Sequence, residues 1–212
     1  MCVGIFCGRM CILCLPEHGV WAVNTKTPGQ RFAILVLQSL LLAGFLRAAG
    51  QPWHCQCRSL AVWSGNVVSS HNSQHPLDPY SLTHVLHGVL LAGLLWFLPR
   101  GCSSVWRFGL AACVEAGWEL MENSPLIIER YRTATISLHY YGDSVVNSCG
   151  DLLACMAGFV IAERIGLKRS VVLFAVTELL LIVWIRDCLV LNVLMLLCPV
   201  DAIRVWQARG LN

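Results

Sequence analysis

Residues 104–123, SVWRFGLAACVEAGWELMEN, decide the fold. The stretch has the length and the apolar content of a membrane helix, yet it carries Glu115, Glu119 and Glu122. Offsets of four and three residues put the three carboxylates within about 60° of arc on one helical face. An ionised acid near the middle of a span costs on the order of 2.5–3.5 kcal/mol. Phe108, Leu110, Val114 and Leu120 together return only about 2 kcal/mol on the same scale. The glutamate face must therefore turn away from lipid, into a bundle, with its carboxylates protonated, paired or hydrated.

The rest of the chain supplies that bundle. Of its 212 residues 57% are apolar and 13% charged, where a soluble domain carries about 25% charge. Mean hydropathy is +0.65. The formal net charge of +3 leaves no basic stripe, so nucleic acid is not an expected partner. Disorder and coiled coil are excluded as well. The expected fold is all-α: a polytopic membrane helix bundle of about five transmembrane helices, with a polar external loop over 51–80. The lipid bilayer is its first partner.

The spans follow from the apolar runs. The first covers 32–46, fifteen uncharged residues between Arg31 and Arg47, or roughly 22 Å, completed by snorkelling arginine stems. A cleaved signal peptide fits less well, because a polar approach precedes the run. The second covers 82–98 and stops at Pro99-Arg100-Gly101. The third is 104–123, ended by Asn-Ser-Pro. An irregular polar segment, 126–141, leads to the fourth, which starts after Gly142-Asp143 with Asp143 or Ser144 as N-cap and runs to 162. The last apolar stretch, 170–200, is roughly 46 Å as one helix, too long for one untilted crossing. It either breaks near Arg186-Asp187 or runs past the bilayer. Residues 201–207 read as a short interfacial helix. Residues 1–30 are expected to be a poorly ordered extension, and 31–212 a single membrane-embedded domain. Counting basic residues puts the N-terminus in the cytoplasm, with the cluster Arg164, Lys168 and Arg169 deciding it.

Polar residues recur in the other spans. Asp143, Asn147 and Asp151 are spaced by four, His84 and His87 share a face, and the last stretch offers Glu178, Arg186, Asp187 and Asn192. Between the third and fourth spans lie Glu129, Arg130 and Arg132, the arginines suited to bidentate carboxylate pairing. The expected centre is one polar cavity built from His84, His87, Glu115, Glu119, Glu122, Glu129, Arg130, Arg132, Tyr141, Asp143, Asn147, Asp151, Arg186 and Asp187.

These residues carry a resemblance. The run from Glu115 through Trp118, Glu119, Glu122, Glu129-Arg130-Tyr131-Arg132 to Tyr141-Gly142-Asp143-Ser144, Asn147 and Asp151 resembles an uncharacterised family of bacterial multi-pass inner-membrane proteins. Trp53-His-Cys55-Gln-Cys57, Asn72-Ser-Gln-His75, His84-Val-Leu-His87-Gly88, Ile185-Arg186-Asp187 and Trp206-Gln207 belong to the same pattern. The likeness runs from about Ala33 to the C-terminus. More distantly, the Trp-Glu-x-x-Glu helix followed by Gly-Asp is similar to VanZ-like membrane proteins. The resemblance implies an inner-membrane location and no established activity. After Cys57 it implies glycine, where this chain has Arg58.

Sharper readings compete with plainer ones. Gly142-Asp143-Ser144 imitates a hydrolase nucleophile, but no histidine follows it. A glycine turn with an N-cap explains the triplet. Cys7, Cys11 and Cys14 imitate an iron–sulfur spacing by coincidence. The cysteines inside apolar runs (Cys113, Cys149, Cys155, Cys188, Cys198) pack as small hydrophobes. Cys55 and Cys57, in the loop, suit a disulfide, free thiols, or a redox or metal role. His71, His75, His84 and His87 with Asp78 could hold a metal at the outer mouth. Their spacing matches no defined template, so no metal is assigned, and hydrogen-bonded histidines are the simpler reading. No catalytic residue or cofactor is assigned.

Three functions stay open. The first is binding or transport of a small polar or anionic envelope component, such as an anionic lipid or envelope precursor, with Arg130, Arg132 and Arg186 meeting the anion. The second is a membrane-embedded metal-dependent hydrolase or transferase. The third is a structural partner in an envelope assembly.

Overall fold

The computed structural model describes residues 28–59, 61–98, 102–135, 137 and 140–209. The iron–sulfur spacing, nearly all of the expected N-terminal extension and the Pro99-Arg100-Gly101 stop lie outside the described residues. Within them the regular structure is helical, in eight elements: α1 (Pro28–Ala48), α2 (Ser81–Trp96), α3 (Ser104–Glu122), α4 (Pro125–Ala134), α5 (Val145–Ile165), α6 (Leu167–Ile185), α7 (Leu189–Leu197) and α8 (Asp201–Ala208). An isolated bridge between Trp63 and Leu77 is the extended pairing seen there.

Side-chain caps set several boundaries. Ser103 accepts the Trp106 N–H to start α3, Ser124 the Ile127 N–H to start α4, and Ser144 the Asn147 N–H to start α5. Asp143 therefore precedes α5 rather than riding on it. The segment expected to be irregular, 126–141, begins as a helix. Pro125 occupies its first turn, where a missing N–H costs nothing.

The long apolar stretch is broken. α6 ends at Arg186 in a left-handed conformation (φ 56°), and α7 departs at 74° to it. Glu178 stabilises this elbow by accepting the Leu189 and Val190 N–H groups at 2.9 and 3.0 Å, an acid set at the positive end of α7.

By length and composition two helices can cross a membrane, α1 and α5, and the bent α6–α7 pair would make a third. α2 is apolar but spans only about 24 Å. α1 buries Leu42 and Leu46 and leaves Phe32, Leu37, Leu40 and Phe45 exposed, as a helix facing lipid would. Cys155 and Cys188 are buried as expected of small hydrophobes, whereas Cys113 and Cys198 are exposed.

α2 and α5 form the tightest pair. A Cβ on Gly88 would strike the Cys155 carbonyl oxygen, and one on Gly158 the Val85 carbonyl oxygen, so each helix needs glycine where the other's backbone passes. Leu152, Cys155, Met156 and Phe159 of α5 pack with Val89, Leu95, Phe108 and Ala112 around this seam. α2 starts, α3 ends and α5 starts at the same end of the bundle. The loop over 51–80 is tied across that end, with Ser144 N–H bonded to Ser73 O (2.9 Å) and Val145 N–H to Pro52 O (2.9 Å).

Candidate functional site

Three helices and one loop converge beneath that cover. α2 contributes His84 and His87 from one face. α3 contributes Glu115, Glu119 and Glu122, with Glu115 2% and Glu119 0% exposed. α5 contributes Asn147 and Asp151. His84 Nδ1 lies 2.6 Å from Glu115 Oε1 and 3.4 Å from Glu119 Oε1, and its Nε2 lies 3.9 Å from Asp151 Oδ2. His87 Nδ1 meets both Glu115 oxygens, at 3.2 and 3.1 Å. Ser81 Oγ donates to Asp151 Oδ1 at 2.8 Å.

A second layer lies toward the loop. Asn123 donates to Asp143 Oδ2 (3.0 Å) and accepts the Asp143 N–H (2.7 Å). Tyr140 OH donates to Asp143 Oδ1 at 2.9 Å. Asp78 accepts the N–H groups of Ser73 and Tyr80, and Asn147 Nδ2 approaches it at 3.4 Å. Burial raises the carboxyls of both Asp78 and Asp143 above the ordinary range.

Six of the expected cavity residues, His84, His87, Glu115, Glu119, Glu122 and Asp151, thus meet in one group. Asn147 turns to Asp78 and the His75 carbonyl in the second layer, and Asp143 adjoins through Asn123. The arginines do not. Arg130 donates from Nε to Leu196 O (2.7 Å) at the end of α7, where helix carbonyls lack partners. Arg132 bonds to Tyr140 O beside exposed Glu129, and Arg186 donates to Trp206 O at 3.0 Å. Asp187 sits apart, held by Tyr80 OH and Gln207 Nε2, both at 3.1 Å. Tyr141 faces the loop, where its OH donates to Ser70 O at 3.4 Å. The anion-binding role expected of Arg130, Arg132 and Arg186 at the centre has no geometric basis, because each is committed to a backbone carbonyl elsewhere.

Sequence reasoning missed Ser81, Asn123 and Tyr140. For Ser81 there was a signal: in Asp78-Pro-Tyr-Ser81 the aspartate accepts the Ser81 N–H at 3.3 Å while Ser81 Oγ accepts the Asp78 N–H at 3.2 Å, a reciprocal turn that starts α2. Asn123 gave none, since Asp143 lies 20 residues further on. Tyr140 lies only three residues before Asp143, a local pairing hidden by reading 126–141 as irregular.

The acids outnumber the bases. Among the described residues, no arginine or lysine joins this group, and two imidazoles face Glu115, Glu119, Glu122 and Asp151. Neither oxygen of Glu119 has a hydrogen-bond partner there, and Glu122 Oε2 is likewise unsatisfied. One ligating atom from each of His84, Glu119 and Glu122 lies within 4.8 Å of the others, and His84, His87 and Glu115 form a second such set. Above Glu122 a chamber of about 30 Å³ is lined by Tyr80, Tyr131, Tyr140 and Asn192, room for about one water. It shares Asn72, Ser137 and Tyr140 with a cleft of about 500 Å³ under the loop, walled by Ser69, Gln74, Tyr141 and Arg204 among others.

The model of the family described as Protein of unknown function (DUF2585) matches residues 46–209. The chain belongs to that family. A UPF0314 protein of Paracoccus denitrificans (strain Pd 1222) is 46% identical over 177 residues, covering 84% of this chain and 90% of the relative. One from Rhizobium meliloti (strain 1021) is 48% identical over 159 residues, 75% of this chain and 81% of its own. One from Sphingopyxis alaskensis is 44% identical over 172 residues, covering 80% and 90%. These names state no activity, so the uncharacterised bacterial family expected from the motifs is the family found. No solved structure matches the chain. The matched region contains every member of the His84–Glu119 group.

Proposed function

We propose that this DUF2585 protein is a multi-pass inner-membrane protein with its N-terminus in the cytoplasm, whose acid–histidine centre holds a divalent cation beneath the cleft under the loop. Residues 31–212 act as one membrane-embedded unit of about five crossings, with α2 and α3 shielded by their neighbours. The observation that carries the reading is Glu119, fully buried on an apolar helix with both oxygens lacking a donor. A buried carboxylate left so calls for a cation. His84, Glu119 and Glu122 offer one nitrogen and carboxylate oxygens, a donor set that suits Zn²⁺ or Mn²⁺. Three protein ligands leave a position open, and the chamber of about 30 Å³ adjoins Glu122. The activity that fits is metal-dependent hydrolysis or transfer of a small polar group on an envelope component in the cleft.

Simple binding or transport of such a component is the second reading. It is favoured by the neutral polar side chains set into a mostly apolar cleft wall, Ser69, Ser70, Asn72, Gln74 and Tyr141. An anionic component would meet Arg204 there. Elemental analysis of detergent-purified protein separates the readings. The first expects the metal content to fall by one ion per chain in Glu119→Gln and in His84→Ala. Wild-type protein that holds no more Zn²⁺ or Mn²⁺ than Glu119→Gln, yet is thermally stabilised by an anionic lipid precursor, replaces the first with the second.

A further inference from the structure

The loop that covers the cleft holds another group of ligating side chains, in which none of the intramembrane acids takes part. We propose that Cys55, Cys57, His71 and His75 form a four-ligand structural site for Zn²⁺ that pins this loop over the cleft. One ligating atom from each of the four lies within 4.8 Å of all the others. A tetrahedral zinc site with two thiolates and two imidazoles has ligand–ligand edges of about 3.3–3.8 Å. Cys55 Sγ and His71 Nδ1 are already 3.2 Å apart. Closing the remaining gap takes about 1 Å of side-chain movement.

The surroundings are those of a metal site. His75 Nδ1 lies 2.9 Å from the Ala61 carbonyl oxygen. Donation to that carbonyl fixes the tautomer in which Nε2 keeps its lone pair for a metal. Two amides point at the sulfurs, Cys57 N–H at Cys55 Sγ and Ser59 N–H at Cys57 Sγ, each at 3.4 Å. Such donors favour thiolate over thiol. Arg58 follows with φ 60°, a left-handed turn that reverses the chain after the Cys-x-Cys pair. A hollow of about 350 Å³ beside Cys55, Cys57, His71 and Tyr141 gives an ion access.

Zinc there would bridge two arms of the loop that are otherwise joined by few bonds, Cys55 N–H to Gln74 O at 3.1 Å among them. The arm that carries His71 and His75 is also the wall of the cleft. Gln74 donates to Gly142 O (2.8 Å), and His75 O accepts from Asn147 Nδ2 (2.8 Å), directly above the intramembrane acids. Each ligating cysteine releases its proton to solvent as the ion binds. The site is thus closed and structural, unlike the three-ligand centre beneath it.

Co²⁺ binding to the reduced full-length protein in detergent tests the proposal, because only thiolate ligands give a near-ultraviolet charge-transfer band. The expected result is one such band per chain, displaced by Zn²⁺. Cys57→Ser, at an exposed position, weakens it, and a Cys55→Ser/Cys57→Ser double variant abolishes it with helix content unchanged. His71→Ala lowers Co²⁺ affinity about 10-fold or more. Glu119→Gln leaves the band intact, which separates this site from the intramembrane centre. A variant with Cys2, Cys7, Cys11 and Cys14 all changed to serine keeps the band as well. Absence of the band in wild-type protein, indifference to Cys57→Ser, or its loss in the N-terminal variant overturns the proposal.

Discussion

The elbow between α6 and α7 and the face between α2 and α3 each bury a glutamate, and the two are partnered in opposite ways. Glu178 accepts two backbone N–H groups at the start of α7. Glu119 accepts none, and its nearest base, His84, is already engaged by Glu115 at 2.6 Å. Glu163, at the far end of α5, is a third case, paired with Arg31 at 2.7 Å. A carboxylate used as a structural pin finds its donors within the fold. One that lacks them, in a chain able to provide them twice elsewhere, is what the proposed cation would satisfy. The elbow is thus architecture, and the α2–α3 face is where the proposal stands or falls.

The largest expected effect removes the frame on which that face depends. Gly88→Leu drives a side chain into the Cys155 carbonyl and separates α2 from α5, costing about 3 kcal/mol or more. The expectation is aggregated or unfolded protein by size exclusion in detergent. At Gly93, on the same helix, an added Cβ would meet nothing within 4 Å, so Gly93→Ala should leave stability equal or up to about 1 kcal/mol higher. If the two variants melt alike, the α2–α5 seam is not the frame.

The comparison itself is tested by treating the glutamates in parallel. Glu178→Ala strands the buried Leu189 amide and the half-buried Val190 amide, and should lower stability by about 2–3 kcal/mol. Glu119→Gln in metal-free protein replaces a buried carboxyl that has no donor with a neutral side chain of the same shape, and should be neutral or stabilising by about 1–2 kcal/mol. Denaturant melts of both variants after chelator treatment give the signs. A large loss for Glu119→Gln in the absence of metal would make that residue another pin, and the distinction between elbow and face would dissolve.

How much of this could be read in advance depended on the range of the interaction. α1, α3, α5 and α8 were legible because an apolar run bounded by arginine, serine or proline is a local signal. So was the shared face of Glu115, Glu119 and Glu122, which needs only helical period. The elbow was half legible: Arg186-Asp187 marked a break, but the left-handed arginine and the cap supplied by Glu178, eleven residues before Leu189, are settled by packing. The arginines were misread for the same reason. Sequence shows that a cation is nearby in the chain, not that Arg130 will reach the carbonyls at the end of α7. Cys55, Cys57, His71 and His75 were each noticed, but in two separate groups, since no spacing template brings a Cys-x-Cys and a His-x₃-His together across a loop.

The smallest effect concerns the layer between loop and centre. Burial, with Glu122 next in weight, holds the Asp143 carboxyl above its ordinary range. The native state then binds that proton more tightly than the unfolded chain does. The stability it contributes is complete below the ordinary aspartate pKa and is lost as pH rises through the raised native value. Asp143→Asn keeps one acceptor oxygen, for Tyr140 OH or for Asn123 but not for both, while removing the titration. Wild-type stability should therefore fall more steeply than that of Asp143→Asn between acidic and neutral pH, a difference that thermal melts at matched ionic strength can follow. Glu122 and Tyr140 remain in both proteins and cancel to first order. Parallel profiles would mean that Asp143 is ionised in the folded protein, so that the layer above the site carries charge and the cation reading must extend upward to include it.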